Sequence, residues 1–450
     1  MTYRPPSRLK RFSPSLIMVA AALFFTACAT APARPPAPIS TGQERTQPGT
    51  VPVETAENTT PQSGGDLQGL PDLEEGDEVG PGEIEFAGQG FTPPHMVGRD
   101  IKRAAVLLPF SHPNARVRAD AESLLAGIEF AMFNRGEDTF LILPKDTAGT
   151  QSTAQAKTAE AIAEGADIII GPLFSANVQV ARTEAIEAGV PVIGFSARPE
   201  AAGGGSYSIA LSPEAEVARV VETAARRGAR SFAFLGPRDG YGRRTEEALR
   251  RAVALNGGVV ITSAFYAPSN DAPVDEAKQV ASAINALGER EEGEIAVLIP
   301  EQGVKLRGVA PLLPYYEVDV RRVQILGTGR WNDASVWREP TLIGGIFAAP
   351  DPENMTRFEE SFERIYRSKP SRLASVGYDA GAMAAALASV TDGLSFQGIT
   401  NRDGFQGVNG LFRFRADGTV ERSLSVLEID ATDGAIPVEL GADTFDPTVG

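Results

Sequence analysis

The chain of 450 residues contains one cysteine and two histidines, and these scarcities exclude several kinds of site. A lone cysteine, Cys28, cannot form an intramolecular disulfide, so the fold is held together without one. Two histidines, His95 and His112, remove most routes to zinc sites and catalytic triads. The sequence also has no glycine-rich phosphate loop, no paired-carboxylate motif and no metal-ligand spacing. We therefore expect no cofactor, no metal and no catalytic residue; an enzyme that relies on carboxylates stays an alternative.

Basic residues are also few relative to acidic ones. The 42 Lys and Arg residues face 58 Asp and Glu residues, which gives a formal net charge of −16, or −20 once the four basic residues of 1–27 are removed. Nucleic acids bind clustered Lys and Arg, and anionic lipid surfaces attract the same residues. The charge balance therefore argues against a nucleic-acid partner and against electrostatic attachment to anionic lipid.

The N-terminus has the pattern of a secretory signal peptide over residues 1–27. Basic residues precede an apolar run at 16–25, which is shorter than the roughly 20 residues of a membrane span. Cys28 follows small residues and resembles the acylated cysteine of a bacterial lipobox, although Phe25 replaces the usual Leu. Ala29, rather than Asp, follows it, which by the usual sorting pattern indicates the outer membrane. We predict lipidation at Cys28 and a location on the periplasmic side of the outer membrane; the alternatives are the inner membrane, or an ordinary signal peptide with a buried or free thiol.

Residues 28–100 form a proline-rich, acidic block. From residue 29 onward it holds 11 of the 33 prolines and 12 acidic residues against three arginines. Neither helical nor alternating apolar patterns occur in it, and such a composition buries too little surface to offset the entropy of ordering. We predict a disordered tether that holds a folded domain away from its lipid anchor.

From Lys102 onward, buried-strand patterns alternate with amphipathic helices, which predicts an α/β fold with parallel sheets. About 350 residues exceed the usual size of a single core, so we expect two doubly wound lobes. We assign residues 101–212 and 349–390 to lobe I, and residues 213–348 and 391–450 to lobe II. The predicted strands are 104–108, 140–143, 167–170, 190–195, 232–235, 259–266, 295–299, 323–326, 411–414 and 424–429.

Seven short segments between residues 106 and 380 carry a family resemblance. Among them are Gly-Pro-Leu-Phe-Ser at 171–175, Pro-Val-Ile-Gly-Phe-Ser at 191–196, and Gly-Thr-Gly-Arg-Trp-Asn at 327–332. Together they resemble a type I periplasmic binding protein of the Leu/Ile/Val-receptor kind, with a Venus-flytrap fold. The first and third are most similar to penicillin-binding protein activator lipoproteins, a family implied to regulate peptidoglycan synthases. The best-known activators carry a helical repeat domain where this chain has only the predicted tether.

The resemblance implies a ligand site in the crevice between the lobes, where the carboxyl ends of the strands meet. Phe174-Ser175 and Ser196-Ala197-Arg198 follow two predicted strands of lobe I. In amino-acid receptors such loops offer hydroxyls and backbone amides to the ligand carboxylate. The serines could equally be turn residues that bond to their own backbone.

The second half of the implied site comes from lobe II. Tyr241 lies where receptors supply an aromatic wall, although it could simply cover the lobe surface. Glu301 stands in a segment that resembles the one whose Glu pairs with a ligand ammonium, although a Glu at a helix start also favours the helix dipole. Arg198 replaces a small hydroxyl residue, and it could clamp a dianionic ligand or bridge to Glu301.

Two functions follow as expectations. The first is a non-enzymatic, lipid-anchored regulator of peptidoglycan synthesis that contacts a penicillin-binding protein. The second is a solute receptor for an amino acid or peptide fragment, of the branched-chain amino-acid transport type. The outer-membrane signal favours the first, because a receptor serving an inner-membrane permease should stay near that membrane, and Glu301 favours the second.

Overall fold

The computed structural model describes residues 92, 93, 96–135, 139–269, 271–288 and 293–445. The predicted signal peptide, Cys28, His95 and the predicted tether up to residue 91 lie outside these residues, so the statements about them stay predictions. Met96 is buried, so the packed region begins before residue 101, which is the predicted boundary. No helix of the described ranges is long and apolar enough to cross a membrane.

The first lobe is built on a five-stranded parallel sheet with the order β2-β1-β3-β4-β5. Alternate residues of the first strand point to opposite faces, so Val106 packs under one pair of helices and Leu107 under another. This two-sided burial explains the continuous apolar runs in the sequence. The strands are β1 (Lys102–Leu108), β2 (Phe140–Asp146), β3 (Ile168–Ile170), β4 (Val192–Gly194) and β5 (Ser206–Ser208), and the early helices are α1 (Ala115–Arg135), α2 (Gln151–Ala163) and α3 (Ser175–Glu187).

The second lobe is built on a seven-stranded sheet with the order β15-β14-β10-β9-β8-β6-β7, in which β14 pairs antiparallel with both β10 and β15. Its parallel strands are β6 (Ser231–Pro237), β7 (Val259–Tyr266), β8 (Ile295–Leu298), β9 (Val323–Gly327) and β10 (Ile346–Ala349), and its antiparallel strands are β14 (Ser425–Asp430) and β15 (Gly434–Glu439). Helices α4 (Pro213–Arg226) and α5 (Gly240–Leu255) cover one face; α6 (Val274–Asn285), α7 (Gly303–Val309) and α8 (Leu312–Tyr315) cover the other. The α/β architecture with parallel sheets is confirmed.

The chain returns to the first lobe after β10 and stays there longer than predicted. Helices α9 (Pro352–Tyr366) and α10 (Arg372–Ala388) pack on it, followed by the short α11 (Phe396–Ile399) and a small antiparallel sheet of β11 (Phe405–Gly407), β12 (Gly410–Phe414) and β13 (Val420–Arg422). The assignment of residues 391–450 to the second lobe is therefore wrong for 394–422, because their apolar side chains join the core beneath β1. Of the strands described after residue 390, β14 and β15 belong to the second lobe.

A buried ion pair attaches this small sheet to the first lobe. Arg422 donates to Asp379 of α10 over 2.9 Å, with their side chains 2% and 0% exposed. Asn409 and the backbone N–H of Val408 also donate to the Asp379 carboxylate, at 3.0 and 2.7 Å. The main contact of Asp379 therefore joins α10 to a strand 43 residues later.

Two glycines allow α1 and α10 to approach closely. A Cβ on Gly377 would lie 2.2 Å from the carbonyl oxygen of Leu124, and a Cβ on Gly127 would lie 2.0 Å from that of Ala374. Any side chain there would force the helices apart. The glycine of the Gly-Tyr-Asp-Ala segment at 377–380 is therefore explained by helix packing.

Candidate functional site

The loops after the parallel strands of both lobes form the two walls of the predicted crevice. Lobe I contributes the loops at 109–112, 146–150, 171–174 and 195–198, and lobe II those at 238–239, 267–269, 299–302 and 328–332. Among the described residues, one hydrogen bond joins the lobes beside these loops: Arg244 of α5 donates to the Ala197 carbonyl oxygen over 2.7 Å. No ion pair of the described residues joins Arg198 to Glu301. The crevice is therefore not bridged by Arg198.

Phe174 and Ser175 lie on the lobe I wall at the start of α3. Phe174 occupies the N-cap position without a side-chain capping bond, and its ring contacts that of His112 with centroids 5.7 Å apart. Ser175 is the first helical residue and forms no side-chain hydrogen bond with the described residues. The first turn of α3 therefore has uncapped N–H groups, which favour a negatively charged group. Asp146 accepts from the backbone N–H groups of Ser111 and Ala148, and Thr150 is the N-cap of α2.

Ser196 is buried, and its contacts are internal to its loop. Its hydroxyl oxygen accepts from the backbone N–H of Arg198 at 3.3 Å, and its carbonyl oxygen accepts from Ser208 at 2.8 Å. Ser196 therefore bonds to the backbone of its own loop, which is the alternative to ligand contact. Arg198, the only charged residue of the loop at 195–198, is exposed.

Tyr241 lies on the lobe II wall, but another residue covers it. The Arg330 guanidinium stacks over its ring, 3.4 Å from the centroid, and its hydroxyl bonds Thr328 at 2.9 Å. Burial, and then the Glu216 carboxylate, raise the pKa of Tyr241 to about 12. The predicted aromatic wall therefore offers an arginine–tyrosine stack instead of a bare ring.

Glu301 and Tyr266 form the most unusual part of this wall. Glu301 is 8% exposed, accepts only from the neighbouring N–H of Gln302 at 3.3 Å, and has no ion-pair partner among the described residues. Tyr266, at the end of β7, is 2% exposed, and its hydroxyl has no hydrogen-bond partner there. Burial, and then the nearby Glu301 carboxylate, raise the pKa of Tyr266. The Tyr266 hydroxyl is the natural donor to the adjoining Glu301 carboxylate, so what this buried pair lacks is a cation to balance the carboxylate charge.

Comparison with known proteins agrees with the α/β fold. Residues 103–289 match the model of the periplasmic binding protein family. No curated protein matches the sequence.

Several solved structures share the fold. A putative branched-chain amino acid ABC transporter protein from Rhodospirillum rubrum is 18% identical, with a TM-score of 0.64 over 75% of this chain and 99% of that one. An ABC-type branched-chain amino-acid transporter protein from Rhodopseudomonas palustris is 15% identical, with a TM-score of 0.59 over 75% and 95%. Full-length LpoA from Haemophilus influenzae is 18% identical, with a TM-score of 0.57 over 75% of this chain and 59% of that one. At these identities the similarity establishes the fold alone.

Sequence reasoning missed a buried carboxylate beside the crevice. Glu216 of α4 is 8% exposed and accepts from the backbone N–H of Gly329 at 2.9 Å. Burial raises the pKa of Glu216 to about 7. The hydrogen bond from Gly329 and the charges of Arg372 and Arg330 act in the opposite direction. A Cβ on Gly329 would lie 2.6 Å from the Glu216 carboxylate, so the glycine makes room for it. The Gly-Thr-Gly segment at 327–329 was the available signal for this contact in the sequence. The partner of Gly329, however, is Glu216, which lies 113 residues earlier.

The described residues also limit the chemistry of the site. They contain no group of three His, Cys, Asp or Glu side chains placed to hold a metal ion. What the crevice walls present is a set of binding groups: a carboxylate, a phenol, a guanidinium and an uncapped helix start.

Proposed function

We propose that this chain is a non-enzymatic periplasmic protein whose crevice binds a small amino-acid-like ligand. The observation that carries the proposal is the buried Glu301 carboxylate, which has no ion-pair partner among the described residues and adjoins the buried Tyr266 hydroxyl. An ammonium group would supply the charge that Glu301 lacks, and a charge-assisted hydrogen bond of this kind is about twice as strong as a neutral one.

The opposite wall suits the other end of such a ligand. The uncapped first turn of α3, with the Ser175 hydroxyl beside it, offers donors and a positive dipole end to a carboxylate. Closure of the lobes would bring the two walls onto one zwitterion. Arg330, stacked on Tyr241, adds a cation that favours a ligand with further negative charge.

A thermal-shift screen of the full chain tests this proposal. Amino acids and muropeptide fragments are the probes, and binding should raise the melting temperature through linkage. Glu301→Gln keeps the shape of the side chain but removes its charge, so it should abolish the shift. Glu353→Gln, an exposed carboxylate on α9, is the matched control and should respond like the unmodified chain. An equal response in Glu301→Gln, or no response to any probe, contradicts the proposal.

For the cellular role, we propose regulation of peptidoglycan synthesis by contact with a penicillin-binding protein. Support comes from the predicted lipid anchor at Cys28, the resemblance of the 171–175 and 327–332 segments to activator lipoproteins, and the fold shared with LpoA. Residues 101–450 carry a formal charge of −11, which favours a partner with basic patches. The full chain should bind a penicillin-binding protein with an affinity that falls as salt rises.

Fractionation of cells tests the anchor separately. Cys28→Ser should move the protein from the membrane fraction to the soluble periplasm.

Shortening the predicted tether to about 20 residues should abolish function without changing the affinity for the synthase. The shorter tether reduces only the distance from the membrane at which the folded domain can bind its partner.

The second candidate role is a solute receptor. It is favoured by the Glu301 site and by the transporter proteins from Rhodospirillum rubrum and Rhodopseudomonas palustris that share the fold over nearly their whole length. Ligand binding without binding to any synthase, at any salt concentration, would favour this role over regulation.

A further inference from the structure

A second cleft lies between the lobes, outside the crevice. It has a volume of about 730 Å³ and is lined by the outer faces of α4 and α5, by the loop that follows β4, and by the β12–β13 hairpin. Of the predicted crevice residues, only Ala197 and Arg198 line it. Its volume is within the range of small-molecule sites. We call it the α4/α5 cleft.

The lining of the α4/α5 cleft combines a small apolar surface with arginines. The apolar part is made mainly of alanines, with Leu255 87% exposed at its edge. The alanines leave the space that larger side chains would fill. These apolar lining residues are Ala197, Ala202, Ala215, Ala218, Ala252, Leu255 and Val420.

The acidic side chains of the cleft already have partners. Glu214 pairs with Arg244, Glu222 with Arg226, and Glu421 with Arg413, and these three cations lie outside the lining. Asp417 accepts from the N–H and the hydroxyl of Thr419 at 2.9 and 2.6 Å. Two arginines of the lining also take part, because Arg219 pairs with Glu222 and Arg415 with Glu421, so the negative charges of the lining are fully compensated.

Two arginines of the lining still have donors to offer. Arg198 is exposed and forms no ion pair with the described residues. Arg422, whose side chain is 2% exposed, pairs with Asp379 through one terminal nitrogen, but its Nε–H has no partner in the described part of the chain. The Nε–H of Arg422 is buried away from the cleft surface, so the unpaired Arg198 guanidinium is the group that favours an oxyanion.

We propose that the α4/α5 cleft binds an organic anion: its carboxylate contacts Arg198, and its hydrocarbon part lies on the alanine surface. The site is distinct from the crevice, because it uses neither Glu301 nor Tyr266. Both lobes line the α4/α5 cleft. A bound anion would therefore also stabilise the arrangement of the two lobes in this structure.

Calorimetric titration of the full chain with hexanoate tests the proposal. Saturable binding is expected, and Arg198→Gln should weaken it at least about tenfold, as for the loss of one charge-assisted hydrogen bond. Arg357→Gln, an exposed arginine on α9 outside the cleft, should leave it unchanged. Hexanamide, which has the hydrocarbon but no charge, and inorganic phosphate, which has charge but no hydrocarbon, should both bind more weakly than hexanoate.

Several results would overturn the proposal. They are the absence of saturable hexanoate binding, equal binding by Arg198→Gln, and binding of hexanamide or phosphate as tight as that of hexanoate. Glu301→Gln separates this site from the crevice: it should lose the response to amino acids while it keeps hexanoate binding. Loss of hexanoate binding in Glu301→Gln would place the anion in the crevice and refute a separate site.

Discussion

Replacing Glu216 by Gln should make the protein more stable, and the gain should grow with pH. The carboxylate is buried, and its pKa is raised from 4.5 to about 7 mainly by that burial. Between these pH values the folded state keeps a proton that the unfolded state releases, so stability falls as pH rises. The shift corresponds to a loss of about 3 kcal/mol, complete above pH 7 and absent below pH 4.5. Gln stays neutral and can still accept from the Gly329 N–H, so the variant should not show this loss.

Urea unfolding at pH 5, 6, 7 and 8 measures the effect. Trp331 and Trp337, both packed in the second lobe near this site, report unfolding by fluorescence. Glu216→Gln and the unmodified chain share all other titrating groups, including Glu214. The difference between their free energies of unfolding therefore reports the titration of Glu216. Glu222→Gln, an exposed carboxylate on the same helix, is the control. A difference that stays constant with pH, or a variant less stable at pH 8, would refute the reasoning.

Three further substitutions test the packing and the site. Asp379→Ala should lower the free energy of unfolding by about 3–5 kcal/mol in urea titrations, because it leaves the buried Arg422 charge uncompensated; a loss below about 1 kcal/mol contradicts this. Gly377→Ala should cost about 1–3 kcal/mol by forcing α1 and α10 apart, whereas Gly308→Ala, in open space on α7, should be neutral or stabilising; equal effects would show that helix approach does not matter. Tyr266→Phe should reduce the thermal shift from ligand, because it removes the hydroxyl that adjoins the Glu301 carboxylate; an unchanged shift would remove this hydroxyl from the site.

The local patterns of the sequence predicted most of the regular structure. Strand β7 has the predicted bounds of Val259–Tyr266, and helices α2 and α3 end just before Gly165 and Gly189, whose φ values of +81° and +72° favour glycine. These features depend on neighbouring residues, so a single sequence carries them.

The errors in domain assignment and in the site have a common physical cause. Residues 394–422 belong to the first lobe because Arg422 finds its counter-ion on α10, and nothing in the local sequence distinguishes that arginine from a solvated one. The same holds for Arg330, which covers the predicted Tyr241 wall from a loop 89 positions later, and for Glu216, whose partner is a backbone N–H on another strand end. Periodicity specifies which residues are buried, but charge compensation between distant segments decides which buried charges remain available. Glu301 is informative for this reason: every other buried carboxylate in the described part of the chain has a partner from a distant segment, and this one accepts only from its own neighbour.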